Sequence, residues 1–253
     1  MVDLHCHILP GIDDGAKNEK DFFDMINIAI NDGISVIITT PHHSRHFTNK
    51  ISDVRDMVKR YNEILSEKNL NIKLVAGQEV HIRSNLIEML DNGEIQPIEN
   101  TNYMLIEFPF DKLPSYAIDI IYELRVRGII PIIAHPERYT YVMNDETLLN
   151  DFIREGCLFQ INAISLRGDF GKKVKATADT LVRNNIVDFI ASDSHNTGKK
   201  APIISDVIKS LDKDKKLKIK RNMENFFDPN YNIPKHKEIE REGFFSRMKS
   251  IFR

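Results

Sequence analysis

The chain of 253 residues is poor in cysteine, has no long apolar run and carries almost no net charge. Its only cysteines, Cys6 and Cys157, exclude a disulfide framework and indicate a reducing compartment, so we expect a cytoplasmic protein. No stretch reaches the roughly 18 consecutive apolar residues of a membrane-spanning helix, and no charged leader precedes an apolar segment at the N-terminus. We therefore expect neither a membrane span nor a cleaved signal. A formal charge of −2 argues against general nucleic-acid binding.

Short β-branched runs alternate with amphipathic stretches along most of the chain. The predicted strands are residues 2–5, 36–40, 72–76, 103–107, 129–134, 158–161 and 187–191. The predicted helices are 19–32, 51–68, 115–127, 145–155 and 172–185, with 203–212 after the last strand. Continuous apolar runs such as 129–134 are typical of parallel strands buried on both faces. Seven strand–helix repeats predict an α/β protein with a (β/α) barrel, and a doubly wound open sheet is the alternative.

The C-terminal part of the chain differs in composition from the rest. Residues 213–221 are rich in Lys and Arg, and residues 238–253 mix charges with aromatic and aliphatic side chains. This last stretch is typical either of a basic amphipathic helix that meets a membrane surface or a partner, or of a terminal helix that covers the barrel. We favour the second interpretation. With 42% hydrophobic residues, the chain is predicted to form one domain over 1–253, in which 222–253 is a charged, amphipathic extension.

Side chains that commonly bind metals follow six of the seven predicted strands, at the point where each strand ends. In chain order they are His5, His7, His42, Glu79, Glu107, His135, Asp193 and His195. Each of them alone has an ordinary explanation, such as a loop histidine or a carboxylate near a helix start. The carboxyl ends of barrel strands meet at one rim, however, and alternating residues such as His5 and His7 share a face of their strand. The joint pattern therefore predicts a metal site at that rim.

The types of side chain in this set indicate which metals it binds. Imidazole and carboxylate without thiolate suit Zn, Mn or Fe, and Cys6 is expected to face the core instead of the histidines beside it. The candidates exceed the four ligands of a single tetrahedral ion, so more than one ion is expected. Glu79 is the natural bridging ligand because its two oxygens can serve two ions.

Several short motifs surround these residues and give the chain a wider resemblance. They are Asp3-Leu4-His5-Cys6-His7, Gly11-Ile12-Asp13-Asp14-Gly15, Thr40-Pro41-His42-His43, Gly77-Gln78-Glu79-Val80, His135-Pro136-Glu137-Arg138 and Ser192-Asp193-Ser194-His195-Asn196. With them the chain resembles the PHP (polymerase and histidinol phosphatase) superfamily over nearly its whole length. More narrowly, it is similar to the manganese-dependent protein tyrosine phosphatases of Gram-positive capsule and exopolysaccharide loci. The resemblance implies a single PHP-type domain with a distorted seven-stranded (β/α) barrel.

The resemblance also implies a site for up to three divalent ions, with Mn²⁺ first and Fe or Zn as alternatives. By analogy, His5, His7, Glu79 and Asp193 hold the first ion, Glu79, Glu107 and His135 the second, and Asp14, His42 and His195 the third. Asp14 enters only through the resemblance, because Asp-Asp-Gly is also an ordinary turn sequence and Asp13 is a competing carboxylate.

The implied reaction is hydrolysis of phosphotyrosine, with water activated by the ions and no phosphoenzyme. Its implied substrate is the Tyr-rich tail of a membrane-associated bacterial tyrosine kinase that regulates capsular or exopolysaccharide synthesis. Arg138, Asp193 and His195 are the predicted catalytic residues. The planar fork of Arg138 matches phosphate, and its alternative role is a salt bridge to Glu137 or another rim carboxylate. A tyrosine phenolate leaves readily, so a general acid, if one acts, is a rim Asp or His.

Arg138 is also predicted to bind substrate, together with His43, Lys199 and Lys200. The two lysines stand where relatives often carry arginine, and a lysine offers charge without the bidentate fork. Two other functions are compatible with the same residues. One is a PHP phosphoesterase for histidinol phosphate or nucleotides, and the other is a non-catalytic metal-bound adaptor that docks a kinase tail. A homo-oligomer is also compatible with the sequence.

Overall fold

The computed structural model describes residues 1–240 of the chain. Within this range it has nine strands, and every strand pair is parallel. The strands are β1 (Val2–Cys6), β2 (Val36–Thr39), β3 (His42–His43), β4 (Lys73–Ala76), β5 (Glu79–His81), β6 (Tyr103–Glu107), β7 (Ile130–Ala134), β8 (Leu158–Asn162) and β9 (Phe189–Ala191). Strands β2 and β3 are separated by two residues, as are β4 and β5, so the nine strands occupy seven positions. These seven positions match the seven predicted strands.

Two interruptions divide the strands into a sheet of order β1-β2-β4 and a sheet of order β3-β5-β6-β7-β8-β9. At the first interruption Pro41 lacks an N–H and cannot donate to the ladder. At the second, Gly77 is required because an added Cβ would lie 2.9 Å from a methyl group of Ile38. Beyond the interruptions the same neighbours pair again, with His42 opposite Glu79. The interruptions distort the barrel and bring these two side chains to its mouth.

The barrel closes between β1 and the end of β9. Cys6 and Ser194 form a parallel bridge, and His7 N donates to Ser194 O at 2.8 Å. Asp193 N donates to His5 O at 2.9 Å. The fold is therefore a distorted seven-stranded parallel barrel, and the alternative of a doubly wound open sheet is wrong. Cys6 is fully buried in the core, as expected from its position.

Ten α-helices lie between and after the strands of the described range. They are α1 (Glu19–Asn31), α2 (Ile51–Glu67), α3 (Leu86–Asp91), α4 (Ala117–Val126), α5 (Thr140–Asn144), α6 (Asn150–Arg154), α7 (Ala163–Arg167), α8 (Lys172–Arg183), α9 (Ser205–Ser210) and α10 (Lys213–Glu224). Helices α1, α2, α4 and α8 match predicted helices to within two residues at each end. The predicted helix 145–155 is divided into a 3₁₀ turn and α6. No helix among residues 1–240 is long and apolar enough to span a bilayer.

The end of the described chain crosses the side of the barrel where β9 begins. Asn150 and Ile239 exchange two hydrogen bonds of 2.8 and 3.0 Å, and His236 Nε2 lies 2.8 Å from Asp188 Oδ2. The predicted extension 222–253 begins inside α10, because the basic run 213–221 is itself helical. The part of that prediction covering residues 241–253 lies outside the described residues.

Candidate metal centre

Metal-binding side chains converge at the mouth of the barrel, beyond the carboxyl ends of its strands. Their ligand atoms form four groups, each within 4.8 Å: His7, Asp14, His42 and His195; His5, His7 and Asp193; His5, Glu79 and His135; and His42, Glu79 and Glu107. Together these groups contain all nine residues predicted as metal ligands. Their convergence agrees with the rule that the loops after parallel barrel strands build the functional site.

The atoms assigned to the first ion are spaced like the ligands of one cation. His5 Nε2 lies 3.2 Å from His7 Nε2 and 3.3 Å from Glu79 Oε1. It also lies 3.5 Å from Asp193 Oδ1. Ligands bound tetrahedrally at about 2.1 Å are about 3.4 Å apart, so one small cation fits among these atoms.

Glu79 also belongs to the second set, and it contacts one histidine of the third. Glu79 Oε1 lies 3.0 Å from His135 Nε2, and Glu79 Oε2 lies 2.9 Å from His42 Nδ1. His135 Nε2 lies 3.7 Å from Glu107 Oε1. Asp14 Oδ1 is 3.4 Å from the Nε2 atoms of both His42 and His195. Glu79 Oε1 thus lies near histidines of the first two sets, as a shared ligand requires, whereas Oε2 contacts the His42 nitrogen that does not face Asp14.

Hydrogen bonds to the second ring nitrogens orient His5 on β1 and His7 directly after it. His5 Nδ1 lies 2.9 Å from Gln160 Oε1, and His7 Nδ1 lies 2.8 Å from Asp13 Oδ2. A proton shared at Nδ1 leaves the Nε2 lone pair available to a metal. Asp13 and Asp14 therefore have different roles. Asp13 orients the His7 ring, and Asp14 directs its carboxylate toward His42 and His195.

Strand β8 contributes amides that the metal-ligand pattern missed. Asn162 Nδ2 donates to Asp193 Oδ2 at 2.7 Å, and Gln160 Nε2 donates to Asn162 Oδ1 at 2.8 Å. Gln160 and Asn162 are both fully buried, and they have the same i, i+2 spacing on β8 that His5 and His7 have at the end of β1. A buried polar pair at this spacing is the signal that could have identified them.

The ligands at two strand ends have unusual backbone conformations. His135 has φ +32° and Asp193 has φ +50°, both in the left-handed region that non-glycine residues rarely adopt. Such a conformation turns the chain sharply after β7 and β9, so each side chain is directed into the mouth. Strain of this kind clusters at functional sites, where surrounding contacts enforce it.

Burial and close charges shift the pKa values of the cluster in opposite directions. Burial opposes ionisation of Glu79, but attraction to His5 and a hydrogen bond from His135 outweigh it and hold its pKa well below the usual value. Burial and the Glu79 charge together raise the pKa of Glu107 to about 8. Burial disfavours charged His42, yet contacts with Asp14 and Glu79 raise its pKa to about 11. The contacts among imidazoles and carboxylates thus favour the ionised form of Glu79, whereas burial and the Glu79 charge disfavour that of Glu107.

The chemistry of the donor set fits divalent cations. Glu79, Glu107 and Asp193 are at most 7% exposed, and buried carboxylates must be paired or coordinate metals. The surrounding atoms are imidazole nitrogens and carboxylate oxygens, which bind Mn, Fe and Zn. These residues can therefore hold a cluster of ions.

Gly15 allows the Asp13–Asp14 turn to pack directly on β1. A Cβ added at Gly15 would lie 2.6 Å from His7 Cβ, and Ala16 N donates to His7 O at 3.1 Å. We expect Gly15→Ala to push Asp14 away from His42 and His195 and to weaken metal binding about 10- to 100-fold. Metal titration followed by calorimetry checks this effect. Gly198→Ala is the matched control, because its added Cβ meets only Asn196 Oδ1 at 3.4 Å. Equal metal affinity of the two variants would contradict the prediction.

Arg138 lies at the edge of this cluster. Its Nη1 donates to Asp193 Oδ2 at 3.0 Å, and its guanidinium lies 4.7 Å from the ring centroids of both Phe110 and Phe170. The ion pair is thus with a rim carboxylate, as in the alternative role considered for this residue, and not with Glu137. A guanidinium has five N–H donors, so the bond to Asp193 leaves others available to a phosphate group.

The other predicted substrate-binding residues differ in their positions. Lys200 Nζ lies 3.4 Å from His195 Nδ1, whereas Lys199 is exposed. His43 is 1% exposed, and its Nδ1 lies 3.1 Å from an Arg83 nitrogen. Adjacent residues of a strand face opposite sides, so His43 points away from the side of β3 that His42 occupies. A role for His43 in substrate binding stays a prediction.

Comparisons with known proteins agree with this arrangement. The family model described as capsular polysaccharide synthesis, CpsB/CapC, matches residues 1–230. The tyrosine-protein phosphatase YwqE of Bacillus subtilis is 40% identical over 197 residues, which are 78% of either chain. A crystal structure of the metal-dependent tyrosine phosphatases YwqE from Bacillus subtilis and CpsB from Streptococcus pneumoniae matches with a TM-score of 0.88 and 33% identity, over 95% of this chain and 100% of that one. Histidinol phosphate phosphatase from Lactococcus lactis, at a TM-score of 0.50 and 14% identity over 90% of this chain and 94% of that chain, shares the fold.

Proposed function

The chain belongs to the CpsB/CapC family of capsular polysaccharide synthesis, and from this membership we propose that it is a metal-dependent protein-tyrosine phosphatase. The observation that carries the proposal is the set of nine metal-binding side chains at one end of the barrel. A phosphotyrosine monoester is the substrate class, and the phosphate group binds at this mouth. The whole active site is assigned to one PHP-type domain.

We assign the ligands in three sets, of which the first two share Glu79. His5, His7, Glu79 and Asp193 form the first set, Glu79, Glu107 and His135 the second, and Asp14, His42 and His195 the third. Divalent ions bound there would lower the pKa of a bound water and supply positive charge for the phosphoryl oxygens. Mn²⁺ is the proposed ion because the donors are imidazole and carboxylate groups, and Fe and Zn are its competitors.

Positively charged side chains at the rim stabilise the negative charge that spreads over the phosphoryl oxygens during transfer. Arg138 contacts Asp193 through one nitrogen and presents the rest of its guanidinium to the phosphate. Lys200, next to His195, adds a second positive charge without a fork. Attraction to His5 and His195 overcomes the cost of burial and keeps the pKa of Asp193 well below its usual value, so Asp193 acts as an ionised ligand.

The proposed substrate protein is a membrane-associated bacterial tyrosine kinase, and the proposed location is the cytoplasm, where the flexible phosphotyrosine tail of such a kinase lies. The side chains at the mouth support a chain-like substrate. Asp14 is 55% exposed and Arg138 is 23% exposed, so the cluster is reached from solvent at these residues. Removal of phosphate from the kinase tail would regulate capsular or exopolysaccharide synthesis.

Metal removal is the direct test of this function. We expect a strong chelator to abolish hydrolysis of a phosphotyrosine peptide, because the ions activate the water. Restoring Mn²⁺, Fe²⁺ or Zn²⁺ one at a time, together with elemental analysis of the purified protein, identifies the metal that supports turnover. Phosphoserine peptide and histidinol phosphate serve as comparison substrates. Chelator-insensitive turnover, or faster hydrolysis of histidinol phosphate than of phosphotyrosine, would overturn the proposal.

A further inference from the structure

Three phenylalanines from separate loops surround the metal centre, and we call Phe47, Phe110 and Phe170 the aromatic collar. Phe47 stacks on His42 with ring centroids 5.9 Å apart and an interplanar angle of 14°. Phe110 stacks on His135 at 5.6 Å and 16°. Phe170 lies 4.7 Å from the Arg138 guanidinium carbon and 6.0 Å from Lys200 Nζ. Apolar rings therefore stand beside metal ligands and cations at the mouth.

Phe110 is held in place although its side chain reaches solvent. Its carbonyl oxygen accepts hydrogen bonds from Thr140 N at 2.8 Å and Thr140 Oγ1 at 3.0 Å. The buried Tyr139 ring packs 5.8 Å from it, and the Tyr139 hydroxyl is itself bonded to Ala134 O and Phe108 N. Phe110 is nevertheless 40% exposed, so part of its ring reaches solvent beside His135 and Arg138.

Phe170 is presented by a tight turn between α7 and α8. Gly168 and Gly171 flank it with φ +96° and +95°, a conformation that L side chains rarely adopt. Gly171 N donates to Gly168 O at 2.9 Å and closes the turn. The Arg138 guanidinium consequently lies between the rings of Phe110, on the loop after β6, and Phe170, on the turn between α7 and α8.

We propose that the aromatic collar receives the phenyl ring of phosphotyrosine and selects aryl phosphates over alkyl phosphates. This inference rests on the proposed phosphatase function and adds the residues that determine its specificity. Because Phe110 stacks on His135 and Phe170 lies against Arg138, a ring attached to a phosphate group at the ions would meet the collar. An aromatic pair contributes roughly two- to tenfold in affinity beyond area burial. A serine phosphate has no ring to place there and gains nothing.

Binding of two phosphonates, which no phosphatase hydrolyses, tests the collar without turnover. We expect Mn²⁺-loaded protein to bind phenylphosphonate more tightly than methylphosphonate by calorimetry. Phe110→Leu should reduce the phenyl-to-methyl affinity ratio roughly two- to tenfold, whereas Phe110→Trp should preserve it. Tyr122→Leu is the control, because Tyr122 is a 55% exposed aromatic residue on α4 rather than at the mouth.

The chain contains no tryptophan, so Phe110→Trp also introduces a single fluorescent reporter. Its emission should change on addition of phenylphosphonate and not of methylphosphonate. If Phe110→Leu loses metal or unfolds, Phe170→Leu measures the same ratio. The proposal for the aromatic collar is wrong if the phenyl-to-methyl affinity ratio is unchanged in the leucine variant that is measured. It is also wrong if this ratio is near one in the wild-type protein. Absence of phosphotyrosine turnover with a preserved aryl preference would instead refute the phosphatase function and leave the collar as an aryl-phosphate site.

Discussion

His5→Ala and Asp193→Ala are each expected to lose bound metal and to lower phosphotyrosine turnover by more than about a thousandfold. The expected loss exceeds that of a single oxyanion-hole donor, which is about 100- to 1000-fold, because water activation and charge stabilisation disappear together. His5 Nε2 lies within 3.5 Å of donor atoms from His7, Glu79 and Asp193. Its removal therefore takes away the donor that is close to all three other members of the first set. Asp193 also holds Arg138, so its loss disturbs phosphate binding as well.

The measurements for these variants are metal content per chain, turnover and thermal unfolding. Both variants should stay folded, because the barrel is held by a large buried apolar core that neither substitution touches. His46→Ala and Asp119→Ala are the matched controls, since both residues are exposed and lie outside the donor set. Normal metal content and normal turnover in His5→Ala and Asp193→Ala would reject the assigned site.

The sequence predicts the position of the site because it indicates where each buried strand ends. A buried parallel strand appears as a continuous apolar run, so the first polar residue after the run marks the rim. Ala134-His135 and Ala191-Ser192-Asp193 are such transitions, and the structure places the side chains of His135 and Asp193 at the mouth. Convergence of residues far apart in the chain then follows from the barrel, since all its strands end on one side.

Other parts of the site could not be read in the same way. Asp13 and Asp14 are identical in type and adjacent, and only the contact of Asp13 with His7 Nδ1 distinguishes their roles. A search for metal ligands does not identify Gln160 and Asn162, because amides are poor transition-metal ligands. Their hydrogen bonds nevertheless orient His5 and Asp193. Distant contacts of this kind depend on the closed barrel and leave no local pattern.

The short helices were missed for a related reason. Helices α3, α5 and α7 have five or six residues, less than two turns, so an apolar period of 3.6 cannot establish itself. They form because the neighbouring strands end beside them. Helix α10 was instead described by its charge, since six of the nine residues from 213 to 221 are Lys or Arg. Its buried face consists of Ile219, Asn222 and Met223, which is too few apolar residues to dominate the pattern.

Arg138→Ala is expected to keep its metal ions and to lower kcat for a phosphotyrosine peptide about 100- to 1000-fold. The guanidinium lies where charge develops on the phosphoryl oxygens, and loss of one such preorganised donor group has effects of this size. Arg138→Lys should recover only a small part of the rate, because lysine retains the charge without the planar fork. Arg60→Ala is the control, since its side chain is 69% exposed and pairs with Glu19 on α1.

Metal content separates the two roles that the structure allows for Arg138. Its Nη1 donates to Asp193 Oδ2, which Asn162 also holds, so Asp193 keeps one hydrogen-bond donor in the variant. We therefore expect the first ion to remain bound while kcat falls, with steady-state kinetics and elemental analysis performed on the same samples. If metal content fell in proportion to activity, Arg138 would act by positioning Asp193, and its assignment to the phosphate would be wrong. If kcat stayed unchanged with full metal content, Arg138 would have no part in the reaction.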